Sequence, residues 1–324
     1  MTTISWPAWG TTASVQALDP AALPSVRRLV ELCLRSGEKV ADAQRPRSEI
    51  SRLSRAAGRA VSVSPLLADL VRAGLDAAEL SDGLCDPTVG NLTTAQRMRA
   101  SRRHGAPVIP VVPVVPVCGA SPATARRPAV RGWQEVRVHG RHVQSPGCTR
   151  LDLSAPAKAF LAVSTAAYAA RYCLTGVLVE IGGAVGSAGP SPVGGWRVTT
   201  DGGSFRLPSG TAMATSHGRD LIDPRTGQPV RSPWHSITVL KTDGVAAAAL
   251  ALAGHVIGPD AASWLIDHGV TTARLVDAGG NVVHLGSFAG PTTSTAPAVS
   301  AGVAGAAGAG RAEPQQGLEL ASAS

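Results

Sequence analysis

The chain has 324 residues, 44% of them hydrophobic and 3% aromatic, and a formal net charge of +8. That length and apolar content suffice for a sizeable core in one large domain or two ordinary ones, and so few aromatics argue against a stacking platform for single-stranded nucleic acid. The charge is local: residues 97–150 carry ten arginines against one acid, Glu135, and flank a proline-rich stretch, so a solvated loop and no nucleic-acid partner are expected.

Five cysteines (33, 85, 118, 148 and 173) are widely spaced without a CxxC pair, which predicts reduced, mostly buried thiols. The opening MTTISWPAWGTTASVQAL lacks the basic start and continuous apolar run of a signal peptide, and no window of membrane-spanning length is free of charge and proline. The expectation is a cytoplasmic chain with no integral membrane segment.

Residues 20–43 read as a helix, with Pro24 near its start and Val26, Leu29, Val30, Leu32 and Leu34 at apolar positions. A second helix is predicted over about 65–81, where Ser64 and Pro65 stand at cap and first-turn positions. SDGLCDPTVGNL then breaks into turns. Over 97–131 proline recurs every third residue in APVIPVVPVVPV, which removes helix and ladder donors and predicts an extended surface insertion. Order resumes at Trp133 with a strand, a turn and a strand, then a helix at about 155–172. Strands follow at GVLVEIG, WRVTTD and SITVL. After them come a helix in TDGVAAAALALAGHVIG, another near 260–268, and a hairpin turned at Gly279-Gly280. From Gly290 the chain is Gly, Ala, Ser, Thr and Pro with little else, a composition that predicts disorder over 290–324. Strands and helices interleave without strict βαβ repetition, so the class is α+β.

Four junction segments carry more glycine, acid and hydroxyl than packing needs: RSEISRLS (47–54), DGLCDPTVG (82–90), LDLSAPAKAF (151–160) and ATSHGRDLIDPRTGQPV (214–230). At such junctions backbone N–H groups and helix N-termini can meet an anion. Lys158 is one of three lysines against 27 arginines; it would reach a ligand phosphate or snorkel at a helix end. Taken alone, DPRTG is a plain turn.

Together, and with WGTTASV, VEIGGAVGSAG and GWRV in register, these segments resemble the FAD:protein FMN transferase family, also called the ApbE family. SEISRLS is similar to its Ser-Glu-Leu-Ser-Arg-Leu-Asn, DGLCDPTVG to its Gly-Gly-Phe-Asp-Pro-Thr-Val-Gly, and LDLSAPAKAF to its Asp-Leu-Gly-Gly-Ile-Ala-Lys-Gly-Tyr. The resemblance runs over about residues 6–288 apart from the insertion. It implies an ApbE-like, T-fold-like domain over 1–289, with mixed sheets flanked by helices. It also implies phosphoryl transfer: FAD is cleaved at its pyrophosphate, FMN is attached to a Thr or Ser hydroxyl of a flavoprotein acceptor, and AMP leaves, with Mg²⁺ neutralising charge. By resemblance Asp152 and Lys158 contact FAD, the Ala155 carbonyl faces the metal, and Asp86, Thr88 and Gly90 shape the flavin pocket. Gly182 and Gly183 belong to the glycine-rich strand, and Asp223, Arg225, Thr226 and Gly227 shape the nucleotide-side turn.

The chain departs from the pattern at chemically important places. The family's Gly-Gly-Asp ends here in Ala184. Its proposed base, a histidine, aligns with Asp220, a weaker base at its ordinary pKa near 4, with His217 close by as a substitute. The family's metal-binding Asp and Thr, one helical turn apart, fall on Ala248 and Leu252. Asp243 lies five residues earlier, about 7.5 Å along the axis and about 140° around it, so its simpler role is a helix cap. Mg²⁺ would then be held weakly, by carbonyl, FAD phosphates and water, or lost. The alternative to a transferase is a non-catalytic paralogue that binds FAD without transferring FMN.

Overall fold

The structure, a computed structural model, describes residues 2–103, 132–147, 149–201 and 203–286. The N-terminus forms a hairpin that the sequence reading did not assign: β1 (Thr3–Ala8) and β2 (Thr11–Ala17) turn at Trp9 and Gly10, both with positive φ. Helix α1 (Leu23–Ala41) buries Val26, Val30 and Leu34 of the predicted apolar positions, with Leu29 half-buried and Leu32 exposed on the outer face. A short helix, α2 (Glu49–Arg55), follows, with the Ser48 hydroxyl accepting from the Ser51 N–H as its cap. After β3 (Val61–Ser62), helix α3 (Pro65–Leu80) starts as expected, the Ser64 hydroxyl accepting from the Leu67 N–H at 3.2 Å.

Two expectations are corrected next. Gly90 does not continue the turns but opens helix α4 (Gly90–Arg103), so the first seven residues assigned to the irregular insertion are helical. A helix with no apolar period was invisible to a pattern search. Residues 104–131 of the insertion and the tail 290–324 lie outside the described residues.

The chain re-enters through a 3₁₀ turn at Gly132–Glu135, then β4 (Arg137–His139) and β5 (His142–Gln144), which with β3 make a small sheet in the order β3-β5-β4. Then come α5 (Ser154–Cys173), β6 (Val177–Ile181), β7 (Ala184–Ala188), β8 (Trp196–Thr200), β9 (Gly203–Leu207) and β10 (Ala212–His217). A minute pair, β11 (Ile222–Asp223) and β12 (Gln228–Pro229), precedes β13 (Trp234–Lys241), α6 (Gly244–Ile257), α7 (Ala261–Asp267), β14 (Ala273–Asp277) and β15 (Val282–Leu285).

Eight strands form one antiparallel sheet in the order β1-β2-β6-β7-β10-β13-β14-β15. Helices α5 and α6 lie side by side on one face, α5 against β6 and β7 and α6 against β10 and β13, with α1 and α3 packed behind them. The β8–β9 ribbon covers part of the other face, where Trp196, Phe205 and Leu207 meet Leu178, Val185 and Met213. Covered on both faces, β6 reads VLVEI, four apolar residues in five rather than an alternation. Full burial of each such large side chain stabilises the fold by about 1.5–3 kcal/mol before entropy is counted. The arrangement is the expected α+β class.

The stretch Gly244–Asp267 is long and apolar enough to cross a membrane, yet 67% of its most apolar window is buried inside the fold. Gly258, at φ 82°, and Pro259 interrupt it between α6 and α7. Its apolarity is that of a core helix, apolar all round because protein surrounds it. The described cysteines, Cys33, Cys85 and Cys173, are free thiols, as expected, but only Cys85 is buried, and burial pushes its thiol up to about 12.

Candidate functional site

Three of the four segments meet at one cavity of about 270 Å³. Leu84–Pro87 forms one wall, Asp152 and the first residues of α5 another, and Arg219–Ile222 the third, with Leu252 of α6 between them.

The first wall is held by its own acid. Asp86 caps the one-turn 3₁₀ helix Pro87–Val89, its Oδ1 accepting from the Thr88 N–H at 2.7 Å and the Thr88 hydroxyl at 2.6 Å. Burial pushes the Asp86 carboxyl above the usual carboxylate range, against the pull of the two Thr88 bonds. Thr88 therefore acts under the wall, holding Asp86. Gly90 acts beneath both: a Cβ there would stand 2.4 Å from the Arg150 carbonyl oxygen, closer than any side chain tolerates. That contact, and the Asp152 N–H donating to the Pro87 carbonyl at 2.7 Å, fasten the first wall to the second. The same segment anchors the return of the insertion, since a Cβ on Gly132 would be 2.7 Å from the Thr88 Oγ1.

Asp152 begins the second wall. Its Oδ1 accepts from the Ser154 N–H at 3.0 Å and the Ser154 hydroxyl at 2.5 Å, so it caps α5 from two residues upstream. Ala155 and Pro156 expose the first turn of α5, the positive end of its dipole, to the cavity. Lys158 lies elsewhere: its Nζ is 6.0 Å from the centre of the Trp9 ring, within cation–π range, and it does not line the cavity.

In the third wall Asp220 has a φ of 60°, a left-handed conformation that Asp adopts more readily than most residues but that still costs order 1–3 kcal/mol. Arg219 beside it also lines the cavity, and sequence reasoning did not single it out; its only signal was adjacency to Asp220. His217, the expected substitute base, is exposed and bonded through Nε2 to Asp201 at 2.7 Å, away from the cavity lining. The DPRTG turn satisfies itself. Arg225 grips Asp223 with two bonds of 3.0 Å and donates to the Val256 carbonyl near the end of α6, while the Gly227 N–H donates to the Asp223 carbonyl. Its bond to Asp223 raises the Arg225 pKa further. Asp223 and Thr226 face a neighbouring hollow of about 530 Å³ rather than the first cavity.

Gly182 and Gly183 turn β6 into β7 with φ of 57° and 88°, the pair of positive values a tight two-residue hairpin requires. They abut Thr11 and Thr215 and do not reach the cavity. The structure thus brings Asp86, Asp152, Ala155 and Asp220 together, and sets Lys158, Gly182, Gly183, Asp223 and Thr226 around them.

The helix α6 decides what can be held. Asp243 is its N-cap, Oδ1 accepting from the Val245 N–H at 2.8 Å and the Ala246 N–H at 3.3 Å. Leu252 faces the cavity with a hydrocarbon side chain, and Ala248, one turn earlier, is 7% exposed. Neither offers an oxygen. Nor do Asp86, Asp152 and Asp220 bring three ligand atoms within 4.8 Å of one another among the described residues. A hard cation that demands near-octahedral oxygens does not find its side-chain set here, so the residues do not fit the Mg²⁺ site that the resemblance implies.

An eight-stranded antiparallel sheet backed by paired helices, with three aspartates lining a cavity beside the start of α5, defines an α+β class of protein. The model of the ApbE family matches residues 9–275, and the chain belongs to that family. A curated relative from Rhodobacter capsulatus, an FAD:protein FMN transferase, is 31% identical over 237 residues, 65% of this chain and 43% of that protein. The chain therefore spans less than half the length of that relative. Among solved structures, the apo flavinyl transferase ApbE of Pseudomonas stutzeri is similar at a TM-score of 0.68 and 21% identity, over 87% of this chain and 94% of that one. The flavin transferase ApbE of Vibrio cholerae matches at 0.67 and 20%, over 87% and 96%. The ApbE protein of Thermotoga maritima matches at 0.69 and 21%, over 87% and 96%. At such identities these structures establish the fold.

Proposed function

We propose that this chain transfers FMN from FAD to a Thr or Ser hydroxyl of a flavoprotein acceptor and releases AMP. The observation that carries the reading is the convergence of Asp86, Asp152, Ala155 and Asp220, drawn from three separated motifs, on one cavity in a chain of the ApbE family. The dinucleotide would lie across the cavity and the neighbouring hollow, which flank the same 222–224 segment.

In this reading the acceptor hydroxyl oxygen attacks the FMN-side phosphorus, the bridging P–O bond breaks, and AMP leaves with the electron pair. Asp220 accepts the hydroxyl proton at its carboxylate, from where it passes to the departing phosphate. The Arg219 guanidinium and the open first turn of α5 place positive charge beside the phosphates, where charge concentrates during transfer. Asp86, its pKa raised by burial and its Oδ1 engaged by the Thr88 N–H and hydroxyl, is held in place in the cavity wall where the ligand would lie.

The test incubates the protein with FAD and an acceptor domain, with Mg²⁺ and with chelator in parallel, and measures AMP release and acceptor mass. An acceptor heavier by one FMN phosphoryl group, with one AMP released per modification, is the expected result. FAD bound with the acceptor unchanged in both arms would overturn transfer and leave a flavin-binding paralogue.

A further inference from the structure

Outside the cavity, one carboxylate and two imidazoles converge from three separate strand ends. Asp201 stands in the turn between β8 and β9, His217 is the last residue of β10, and His235 is the second residue of β13. The His217 Nε2 lies 2.7 Å and the His235 Nε2 3.4 Å from the same oxygen, Asp201 Oδ2, and the two rings meet edge to face at 5.8 Å. All three ligand atoms lie within 4.8 Å of one another.

The backbone aims these groups. Trp234 pairs with Asp277 and Ser236 with the next residue, Val276, so His235 is the extra residue of a β-bulge. A bulge re-aims one side chain out of the pleat, and here it turns His235 towards the end of β10, where His217 pairs with Ser236. A surface ion pair needs neither a bulge nor a second imidazole on the same oxygen.

We propose that Asp201, His217 and His235 form a binding site for a divalent transition cation of the Zn²⁺, Co²⁺ or Ni²⁺ type. Such ions bind imidazole nitrogen and carboxylate oxygen at about 2.0–2.2 Å, which sets neighbouring ligand atoms of a tetrahedral site roughly 3.3 Å apart. The His235–Asp201 separation of 3.4 Å matches that value, and the His217–Asp201 pair, at 2.7 Å a hydrogen bond, would open by about 0.6 Å to admit the ion. Two imidazoles and one carboxylate select borderline ions over the hard, oxygen-seeking Mg²⁺. Three protein ligands leave a fourth position open, and with side chains 40–46% exposed that position faces solvent. The site is separate from α6, where the family's metal ligands are replaced by Ala248 and Leu252, and it stands whether or not the chain transfers FMN. A bound ion would tie the β8–β9 turn to the ends of β10 and β13, two residues before Arg219 and Asp220 enter the cavity wall.

The test uses the full chain without a polyhistidine tag, stripped with chelator and titrated with Co²⁺ while visible absorption is followed. The expected result is one equivalent of Co²⁺ with the d–d bands of a four- or five-coordinate site, displaced by one equivalent of Zn²⁺. In His235→Ala and in Asp201→Asn the affinity falls at least tenfold, while His139→Ala, outside the cluster, binds as the native chain does. Circular dichroism confirms that each variant is folded. Should His235→Ala fail to fold, Asp201→Asn, a near-isosteric change at an exposed turn, carries the test. Equal Co²⁺ affinity in the native chain and a folded Asp201→Asn variant would overturn the assignment, as would the lack of any one-equivalent spectral change in the native chain.

Discussion

If α6 lacks only oxygen donors, restoring them should make the stability of the fold depend on Mg²⁺. The perturbation is Ala248→Asp combined with Leu252→Thr. Leu252 packs between Cys85 and Leu84, and shortening it to Thr costs about 1–2 kcal/mol as a partly buried loss. Ala248 is 7% exposed, so a new carboxylate there is desolvated and adds a further penalty of about 1–3 kcal/mol unless it is paired. Mg²⁺ at a hundred times its dissociation constant returns about 2.7 kcal/mol by mass action. In a domain of this size that corresponds to a rise in unfolding midpoint of roughly 5–10 °C. The assay is thermal unfolding followed by circular dichroism, in chelator and in excess Mg²⁺, for the native chain and the double variant. The native midpoint should be insensitive to Mg²⁺. A folded double variant whose midpoint ignores Mg²⁺, or a native chain that already shows the shift, would refute the placement of these two residues at a vacated metal position.

Other consequences are as direct. Asp243→Ala removes the α6 cap and should cost about 1 kcal/mol, read as a lower urea midpoint at unchanged slope, with Asp243→Ser recovering most of it. Gly90→Ala drives a Cβ into the Arg150 carbonyl and should destabilise by roughly 1–3 kcal/mol, weakening FAD binding as the first two walls separate; unchanged urea stability would contradict the contact. His255 is fully buried, bonded to the Ser216 carbonyl and the Ser232 hydroxyl, and its pKa is lowered by burial and by the nearby His217 and His235. Its neutral form is favoured in the fold, so its contribution is intact above the unfolded value near 6.5 and is lost as pH falls from there towards the lowered folded value. The slope there is at most about 1.4 kcal/mol per pH unit for this group, and a folded His255→Gln variant should show a shallower pH dependence between pH 7 and 5 than the native chain.

What the sequence disclosed follows from where the physics is local. α1, α3, α5 and α6 declare themselves through apolar spacing or a capping residue, and Ser64 and Asp243 cap the helices they were expected to cap. β1 went unassigned because Pro7 reads as a strand breaker, yet β1 is the edge of the large sheet, where a missing N–H is tolerated. β10 escaped because AMATSH has small side chains of weak strand preference; it forms because β7 and β13 pair with it on either side. In the site, Asp86, Asp152, Ala155 and Asp220 were legible as motif positions. The partnership of His217 with Asp201 and His235 was not, since it depends on a bulge and on three strand ends meeting in space.

The contact between Gly132 and Thr88 brings together two points far apart in the chain. Helix α4 leaves from Gly90, beside that contact, and carries the backbone about 20 Å to Arg103 before residue 104 begins. Extended chain covers that distance in about six residues, whereas 28 residues, 104–131, separate Arg103 from Gly132. The two ends are thus fixed by contacts of their own, Gly132 against Thr88 and Gly90 against the Arg150 carbonyl, whatever the number of residues between them.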